Sequence, residues 1–200
     1  MSKLELYNNK TYFNEVSKQI SLLTEEIEKI DQISRLIFNA NKEKRKILVA
    51  GNGGSCADAE HFVGELVCTF LDRNRSAISA INLSSNNAAI TAWSNDFNYE
   101  SYLKRQVEAY GNLGDILILL STSGGSIKNK QSMNLIHACD QANHMGIKTI
   151  SLIGRDGGIL KEKSDDYILI KSDQTSVIQE CHMSILHAIC NNLDILMKQN

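Results

Sequence analysis

A histidine and a glutamate four residues apart, His61 and Glu65, are the side chains of this sequence best suited to proton transfer. They lie in a segment whose apolar residues recur at helical spacing, so both project from one face of the predicted helix. A second histidine, His187, lies in another such segment near the C-terminus. Imidazole and carboxylate groups are typical general acids and bases, so the sequence indicates acid–base chemistry if the fold brings these helices together.

A glycine-rich loop, Gly51-Asn52-Gly53-Gly54-Ser55, precedes this helix and follows the apolar run Ile47 to Ala50. A strand, a tight loop and a helix N-terminus in this order present free backbone N–H groups, which suit a phosphate or another oxyanion. The loop lacks the lysine of a Walker motif, and Cys56 occupies the position of the third glycine of a dinucleotide fingerprint. A tight turn without a ligand is the alternative.

A second loop, Ser121-Thr122-Ser123-Gly124-Gly125-Ser126, follows the apolar run that ends near Leu120. Its hydroxyl and backbone N–H groups could donate several hydrogen bonds to one anion. Ser126 is the predicted N-cap of the next helix. Since the loop contains neither lysine nor arginine, it suits a small phosphorylated metabolite better than a nucleoside triphosphate. An ordinary capped turn is the alternative.

The C-terminal helix carries a polar stripe, Gln179, Met183 and His187, displaced from its apolar face. Glu180 aligns with His187 at least as well as Gln179 does, so spacing does not choose between them. The pair Asn95-Asp96 breaks another helical region and could bind sugar hydroxyls, although such a pair is usually just a turn. Solvated helix surfaces are the alternative for the polar stripes.

Apolar strands alternate with helices after residue 45, which predicts an α/β fold with a parallel sheet covered on both faces. The predicted strands are Lys46–Ala50, Ala77–Leu83, Asp115–Ser121, Lys148–Ile153 and Tyr167–Ile170. The predicted helices cover residues 56–71, 86–109 with a break near Asn95, 127–145, 157–163 and 175–197. Ligands of such sheets bind at the carboxyl ends of the strands, where both loops begin.

Residues 1–45 are predicted to form a helical arm within a single domain that spans residues 1–200. Apolar residues recur at helical spacing from Ile20 to Ile37. An arm ahead of the first strand must cover one face of the domain or pack against another subunit. We favour a role in oligomerisation because the apolar stripe is long and continuous.

Composition argues against several classes of protein. The net charge of −2 gives no electrostatic reason to expect nucleic-acid binding. No apolar run reaches the length of a membrane span, and Met1 to Lys10 lacks the apolar core of a signal peptide. The five cysteines are scattered and not in CxxC spacing, which favours a reduced protein of the cytoplasm.

Six motifs occur in order along the chain. They are Gly51-Asn52-Gly53-Gly54-Ser55, Ala57-Asp58-Ala59-Glu60-His61-Phe62 with Glu65-Leu66, Asn95-Asp96-Phe97, Ser121-Thr122-Ser123-Gly124, Gly154-Arg155-Asp156-Gly157-Gly158, and Ile178-Gln179-Glu180 with His187. Together they resemble the phosphoheptose isomerases, or sedoheptulose 7-phosphate isomerases, of the sugar isomerase (SIS) domain superfamily. Each motif alone is weak, but the resemblance covers nearly the whole chain, including the N-terminal helices.

The resemblance implies a three-layer α/β/α sandwich around a five-stranded parallel sheet, the SIS fold, in a homotetramer with active sites at subunit interfaces. It also implies an aldose–ketose isomerase that converts sedoheptulose 7-phosphate to D-glycero-D-manno-heptose 7-phosphate through an enediol. That reaction is the first step of bacterial heptose biosynthesis for lipopolysaccharide or capsule.

By the same resemblance, Glu65 is the expected catalytic base and His187 its acid/base counterpart. The expected substrate contacts are Asn52, Gly53, Gly54, Ser55, Glu65, Asn95, Asp96, Ser121, Thr122, Ser123, Ser126 and Gln179. Zinc-containing members have ligands at the positions of His61, Glu65, Gln179 and His187, which favours Gln179 over Glu180 and makes one Zn²⁺ per subunit a candidate cofactor. A carboxylate on zinc is a weakened base, so the sequence leaves open whether Glu65 is a free base or a ligand.

Three positions depart from the family pattern. Gly125 stands where the family often has asparagine, Cys56 replaces a usual alanine and Glu60 a usual glutamine. None of them belongs to the acid/base pair, but we expect the change to Gly125 to remove a donor to the phosphate or to a nearby hydroxyl.

Three alternative functions remain. The first is a non-catalytic SIS module that binds a partner protein or senses a sugar phosphate, against which the presence of both Glu65 and His187 argues. The second is an isomerase or aminosugar enzyme of the same superfamily that acts on a pentose or hexose phosphate. The full-length resemblance argues against it. A nucleotide-binding protein is a distant third.

Overall fold

The computed structural model describes residues 8–199 and contains a five-stranded sheet with strand order β2-β1-β3-β4-β5. All four strand pairings are parallel, as the alternation of strands and helices predicts. Residues 1–7 and residue 200 lie outside the described residues. They include most of the segment Met1 to Lys10, in which we expect no signal peptide. They also include the first seven residues of the predicted arm and the last residue of the predicted domain.

The strands are short apolar runs because helices cover both faces of the sheet. Their bounds are β1 Ile47–Gly51, β2 Ala80–Asn82, β3 Ile116–Ser121, β4 Lys148–Gly154 and β5 Asp166–Ile170. Every residue of β1 and β3 is buried. The prediction of a longer second strand, Ala77–Leu83, is wrong, because β2 lies at the edge of the sheet and only three of its residues pair with β1.

Eight α-helices are found in the described part of the chain. Their bounds are α1 Asn9–Leu22, α2 Ile27–Lys42, α3 Gly54–Val67, α4 Asn87–Asp96, α5 Tyr102–Tyr110, α6 Met133–His144, α7 Leu160–Lys163 and α8 Thr175–Lys198. None of the helices within residues 8–199 has the length and apolarity that crossing a membrane requires.

The prediction of a helix from residue 127 is wrong. Residues 126–131 form a turn that is closed by two backbone hydrogen bonds between Ser126 and Gln131, each 2.9 Å long. Helix α6 therefore begins only at Met133, and Ser132, rather than the predicted Ser126, occupies its N-cap position.

Two apolar cores hold the three layers together, one on each face of the sheet. The core under α2, α3 and α8 includes Ile33, Phe62 and Ile185. The core on the opposite face includes Tyr102 of α5 and Leu135 of α6. The helices that carry His61, Glu65, Gln179 and His187 thus belong to the same layer, which allows these side chains to meet.

The apolar stripe of the N-terminal arm divides into two parts. Ile30, Ile33 and Ile37 of α2 are buried in the same core as α8, so the second half of the stripe packs within the subunit. In the first half, Ile20 and Ile27 are 38% and 52% exposed, whereas Leu23 packs at the edge of that core. The use of the arm in oligomerisation stays a prediction that concerns the exposed residues of this first half.

Candidate active site

A cavity of about 320 Å³ lies at the carboxyl ends of β1 and β3. The strand order reverses here, because β1 pairs with β2 on one side and with β3 on the other. Ligands of open parallel sheets bind at such a switch point, so we call it the switch-point cavity. Its walls are Asn52, Gly53, Gly54, Ser55, Leu120, Ser121, Thr122, Ser123, Gln131, Ser132, Leu135, Thr175 and Gln179.

The loop after β1 forms the first wall and depends on two glycines. A Cβ atom at Gly51 would collide with the backbone carbonyl of Ser55, and Gly53 has a φ of +57°, in the left-handed region that glycine adopts readily. The N–H groups of Ser55 and Cys56 close the turn on the carbonyls of Asn52 and Gly53, at 3.1 and 3.0 Å. The N–H groups of Gly53 and Gly54 make no such backbone bond within residues 8–199, so they can serve an anion.

The side chain of Asn52 fixes this loop to α6. Asn52 Nδ2 donates to Asn134 Oδ1 at 2.9 Å, and Asn134 Nδ2 donates back to Asn52 Oδ1 at 2.8 Å. The Tyr99 hydroxyl donates to the same Asn52 oxygen at 2.9 Å. Because both acceptor positions of this oxygen are filled, Asn52 can offer a substrate only its remaining N–H groups.

The loop after β3 forms the opposite wall. The N–H of Gly124 donates to Ser121 Oγ at 3.0 Å, and the N–H of Gly125 donates to Ser123 Oγ at 3.3 Å. These bonds use the hydroxyl oxygens as acceptors and leave the hydroxyl hydrogens for a ligand. Neither lysine nor arginine belongs to the walls of the switch-point cavity, so a phosphate bound there would be held by neutral donors.

Backbone contacts hold the second loop in place. The N–H groups of Leu160 and Ile159 donate to the carbonyls of Gly124 and Gly125 at 2.9 and 3.2 Å. Gly125 has a φ of +82°, and a Cβ atom there would lie 2.8 Å from Cδ1 of Ile136. A side chain at position 125 would therefore have to displace the end of the Ile136 side chain, and glycine suits the left-handed backbone there.

Helix α8 closes the cavity with Thr175 and Gln179. The Gln179 amide lies over Gly54, where an added Cβ atom would come within 3.0 Å of its Cδ atom. The neighbouring Glu180 does not belong to the cavity walls, and its Oε1 atom lies 3.4 Å from the Tyr12 hydroxyl. The structure thus places Gln179, of the two residues that spacing left open, at the cavity.

Three side chains suited to proton transfer, those of His61, Glu65 and His187, lie near the other end of α3. His61 Nε2 lies 3.1 Å from Glu65 Oε1, and the ring centroids of His61 and His187 are 5.2 Å apart. Phe70 stacks on His187 with 5.6 Å between ring centroids. The His61 and Glu65 side chains are 48% and 24% exposed, so a substrate can reach them.

Helix α3 connects this acid/base group to the switch-point cavity. Glu65 follows Gly54 by eleven residues, which corresponds to about 16 Å along the helix axis. An open-chain seven-carbon sugar phosphate, with hydrogen-bond contacts of about 3 Å at each end, covers a distance of this order. One elongated substrate can therefore contact the glycine loop and the acid/base group at the same time.

Two further groups near the site have shifted pKa values. Burial raises the pKa of Asp58, with a further rise from Glu180 and an opposing effect of His61. Partial burial also raises the pKa of the Tyr99 phenol. The Tyr99 hydroxyl therefore stays protonated at neutral pH and keeps donating to Asn52.

The four predicted zinc ligands fit zinc in chemistry but are not assembled. Imidazole, carboxylate and amide groups can all bind zinc, and His61, Glu65 and His187 lie together. Within residues 8–199, however, no three His, Cys, Asp or Glu side chains converge closely enough to hold a metal ion. Gln179 points at Gly54, and it lies eight residues before His187, about 12 Å along α8. A metal ion would require these side chains to move.

Four predicted substrate contacts lie away from the switch-point cavity: Glu65, which belongs to the acid/base group, and Asn95, Asp96 and Ser126. Asn95 and Asp96 are exposed at the end of α4, where Asn95 Nδ2 donates to Asp96 Oδ1 at 2.9 Å. Ser126 lines a neighbouring cavity of about 780 Å³, which shares only Ser123 and Gln131 with the switch-point cavity. The other predicted loop residues and Gln179 line the switch-point cavity itself.

Sequence reasoning missed several residues of the site. Ser132, Gln131 and Thr175 line the cavity, and Tyr99 and Asn134 hold Asn52. Thr175 could have been found from its position at the start of the last helix, one turn before Gln179. The contacts of Tyr99 and Asn134 with Asn52 are long-range pairings with no local signal in the sequence.

The comparisons with known proteins agree with this fold. The SIS domain family model matches residues 11–154. The phosphoheptose isomerase of Helicobacter pylori strain P12 is 42% identical over 167 residues, which cover 84% of this chain and 83% of that protein. The probable phosphoheptose isomerase of Thermoplasma acidophilum is 42% identical over 168 residues, covering 84% and 88% of the two chains.

Two solved structures share the fold over nearly their whole length. The phosphoheptose isomerase of Neisseria gonorrhoeae gives a TM-score of 0.84 at 31% identity and covers 93% of this chain and 96% of its own. The enzyme of the same name from Francisella tularensis gives 0.83 at 29% identity, with coverage of 95% and 100%. The fold and site thus define an SIS domain protein of the aldose–ketose isomerase class. Within that class, the chain belongs to the phosphoheptose isomerase family, which confirms the family predicted from the six motifs.

Proposed function

We propose that this protein interconverts sedoheptulose 7-phosphate and D-glycero-D-manno-heptose 7-phosphate. The observation that carries this proposal is the arrangement along α3, which begins at a loop of phosphate-type donors and ends beside Glu65, His61 and His187. Such an isomerase needs a phosphate site and an acid/base pair that are separated by about the length of an open-chain heptose phosphate.

The isomerisation moves a proton between two neighbouring carbon atoms. Glu65 would remove the proton from C1 while His187 protonates the carbonyl oxygen at C2, which gives a cis-enediol. Return of the proton to C2, with loss of the proton from the C1 hydroxyl, then gives the aldose. A positioned acid or base of this kind accelerates proton transfer by about 10²–10⁴-fold.

The phosphate is remote from the reacting carbon atoms, and its binding energy can hold the sugar open and oriented. Ser121, Ser123 and the N–H groups of Gly53 and Gly54 would supply the donors. Gln179 would contact the sugar between the two ends, because it lies over the start of α3. Asn95 and Asp96 would have to contribute from an exposed position, which a site between subunits would allow.

We also propose a zinc ion as the cofactor, held by His61, Glu65, Gln179 and His187 after a rearrangement of the side chains. Glu65 would have to leave the metal in order to act as the base, since a carboxylate on zinc is a weakened base. When bound, zinc would polarise the substrate oxygens and stabilise the negative charge of the enediolate. Dialysis against a chelator, followed by metal analysis and turnover with and without added zinc, tests this part separately. Full turnover of a protein free of zinc would contradict it.

The oligomeric state and the cellular compartment are further parts of the proposal. A homotetramer with sites between subunits would give the exposed part of α1 a partner. All five cysteines are free thiols, which suits the reducing cytoplasm. The product would supply bacterial heptose for lipopolysaccharide or capsule.

The experiment that tests the proposed substrate is an NMR assay with three ketose phosphates of five, six and seven carbon atoms. The heptulose phosphate is expected to react fastest, because the shorter sugars cannot reach from the glycine loop to Glu65. Equal rates for all three would contradict the length argument. Tight binding of the heptulose phosphate without any turnover would instead indicate a sensing module.

A further inference from the structure

The segment after α3, residues 68–72, is fixed to helix α8. The N–H groups of Leu71 and Asp72 donate to Asp194 Oδ2 at 2.9 and 2.8 Å. Asp194 follows His187 by seven residues, about two turns of α8, so the two side chains project from the same side of this helix. The segment is therefore held on the side of α8 that carries His187.

Phe70 is the aromatic residue of this segment. Its ring stacks on the His187 imidazole, with an interplanar angle of 18° and ring centroids 5.6 Å apart, which is the offset arrangement that aromatic pairs prefer. Phe70 is half-buried and packs against the core under α2, α3 and α8. One face of the His187 imidazole is thus covered by a ring that the core supports.

The orientation of His187 does not depend on a hydrogen bond. Within residues 8–199, neither ring nitrogen of His187 has a hydrogen-bond or ion-pair partner, whereas His61 Nε2 lies 3.1 Å from Glu65 Oε1. A histidine that transfers protons is commonly oriented by a hydrogen bond at its second nitrogen. Here the neighbouring rings of Phe70 and His61 contact the imidazole instead. Stacking covers a face of the imidazole and leaves the nitrogen atoms at its edge to the substrate.

We propose that Phe70 is a positioning residue of the reaction, whose ring holds the His187 imidazole in the orientation in which it exchanges a proton with the substrate. This inference rests on the proposed function, since it concerns the acid/base group of the same site. The flat ring is the required feature, because an aliphatic side chain in the same space would allow the imidazole to turn.

The test compares Phe70→Leu with Phe70→Tyr in the full-length enzyme at a fixed zinc content. Leucine keeps an apolar side chain but removes the ring, whereas tyrosine keeps the ring. Phe38→Leu is the matched control, because Phe38 is also half-buried and packs against the same core. Its ring lies under Lys42 Nζ, 5.4 Å from the ring centroid, and stacks on no histidine of the described residues.

Phe70→Leu is expected to lower kcat for sedoheptulose 7-phosphate by about 10- to 100-fold, because misplacing a catalytic group by about 1 Å has an effect of this order. KM should change little, since the phosphate donors remain. Phe70→Tyr should retain most of the wild-type kcat, and Phe38→Leu should leave both constants unchanged. An unchanged kcat in Phe70→Leu, an equal fall in Phe38→Leu, or a Phe70→Tyr variant as slow as Phe70→Leu would overturn the proposal.

A measurement without turnover separates this proposal from the proposed function. In protein labelled with ¹³C at histidine Cε1, the His187→Gln variant identifies the His187 signal by its loss, and relaxation reports how strongly that ring is ordered. Phe70→Leu should lower the order of the ring, whereas Phe70→Tyr and Phe38→Leu should not. If the wild type binds the compound but does not turn it over, the proposed reaction fails, and the ring order alone decides: an unchanged order in Phe70→Leu overturns the role of Phe70.

Discussion

The carboxylate of Glu65 is the single group on which the proposed chemistry depends most. Glu65→Gln keeps the size and the hydrogen-bonding capacity of the side chain but removes the base. We expect kcat to fall by about 10²–10⁴-fold, with little change in KM, because the phosphate donors at the start of α3 remain. His187→Ala is expected to cause a comparable fall.

The matched control for this variant is Glu60→Gln, an exposed carboxylate on the same helix, which should leave kcat within about twofold because its charge is solvated. Steady-state kinetics with light scattering to check the assembly separates these outcomes. Turnover at the wild-type rate in Glu65→Gln would remove Glu65 from the mechanism.

The imidazole of His182 links the stability of the protein to pH. Burial lowers its pKa to about 4, and the backbone of Ile153 opposes this effect. Since the folded-state pKa lies below the ordinary value of about 6.5, His182 contributes little to the pH dependence of stability more than about one pH unit above 6.5. As the pH falls below about 6.5, the unfolded chain binds a proton on His182 before the folded protein does. The free energy of unfolding therefore falls by about 3 kcal/mol by pH 4.

The measurement is urea unfolding at several pH values between 7.5 and 4, for the wild type and for His182→Leu. The leucine variant should lose less stability on acidification than the wild type does. Parallel pH profiles for the two proteins would contradict the assigned pKa.

At the scale of single residues, the sequence predicted most of the side chains that the fold brings together. Gln179 is one that the sequence left undecided, because helical spacing alone could not distinguish Gln179 from Glu180. Ser126 shows a second limit. Nothing in residues 127–132 forbids a helix, and the turn there depends on pairing between Ser126 and Gln131 and on left-handed backbone at Lys130 and Ser132.

A buried ion pair fixes the end of α3 against α8. Arg75 Nε lies 2.8 Å from Asp194 Oδ1, with both side chains nearly inaccessible. The Arg75 guanidinium also donates to the carbonyls of Leu66, at 3.1 Å, and Glu65. Asp194 in turn accepts from the N–H groups of Leu71 and Asp72. This pair therefore positions the helix end that carries Glu65.

Asp194→Asn is expected to lower the free energy of unfolding by about 3 kcal/mol, because it leaves Arg75 buried without a counter-charge. We also expect kcat to fall while KM changes little, since the switch-point cavity lies at the opposite end of α3. Asp140→Asn, which breaks an exposed pair with Lys163, serves as the control and should cost at most about 1 kcal/mol. Equal effects of the two variants on unfolding would show that the buried pair has no special role.

At the scale of elements, all five strands and their order along the chain were predictable from apolar runs. The residues at which helices and strands begin and end were less predictable. Helix α3 begins two residues earlier than predicted, because Gly54 and Ser55 already adopt helical conformation, and β2 is shortened by its position at the sheet edge. Local propensity cannot report such effects, which arise when separate elements pack together.

The whole molecule presents an apolar surface that a single subunit leaves uncovered. Phe13, Ile20, Leu22 and Ile27 are exposed on the first half of the N-terminal arm. If this surface joins subunits, Ile27→Asp should dissociate the tetramer and lower turnover, because burying an unpaired charge in an interface is costly. Light scattering gives the assembly state, and the same samples give kcat.

Leu113→Asp is the control for this variant, since Leu113 is 70% exposed in the segment after α5. It should leave both assembly and turnover unchanged. A wild-type protein that is monomeric and fully active would contradict the proposed tetramer and the proposed location of the sites.

At this scale the sequence predicted the parallel three-layer fold, but it could not divide the N-terminal stripe between two roles. Ile33 and Ile37 have the same apolar character and helical spacing as Ile20 and Ile27. Only the packing of α2 against α8 shows that the former belong to the core of the subunit. Assembly of subunits depends on which apolar residues remain on the surface of the folded subunit. The periodicity of apolar residues in the sequence does not show which of them a neighbouring subunit covers.

The central claim is that Glu65 moves a proton between C1 and C2 of a bound heptulose phosphate. The most direct measurement is NMR of sedoheptulose 7-phosphate in D₂O with the wild-type enzyme and with Glu65→Gln. The wild type should form an aldoheptose 7-phosphate that carries deuterium at C2, or partly retained hydrogen if the base is shielded from solvent. The variant should bind the compound and leave its C1 hydrogens unexchanged. Formation of product by Glu65→Gln at the wild-type rate, or the absence of product from the wild type while the compound stays bound, would contradict the claim.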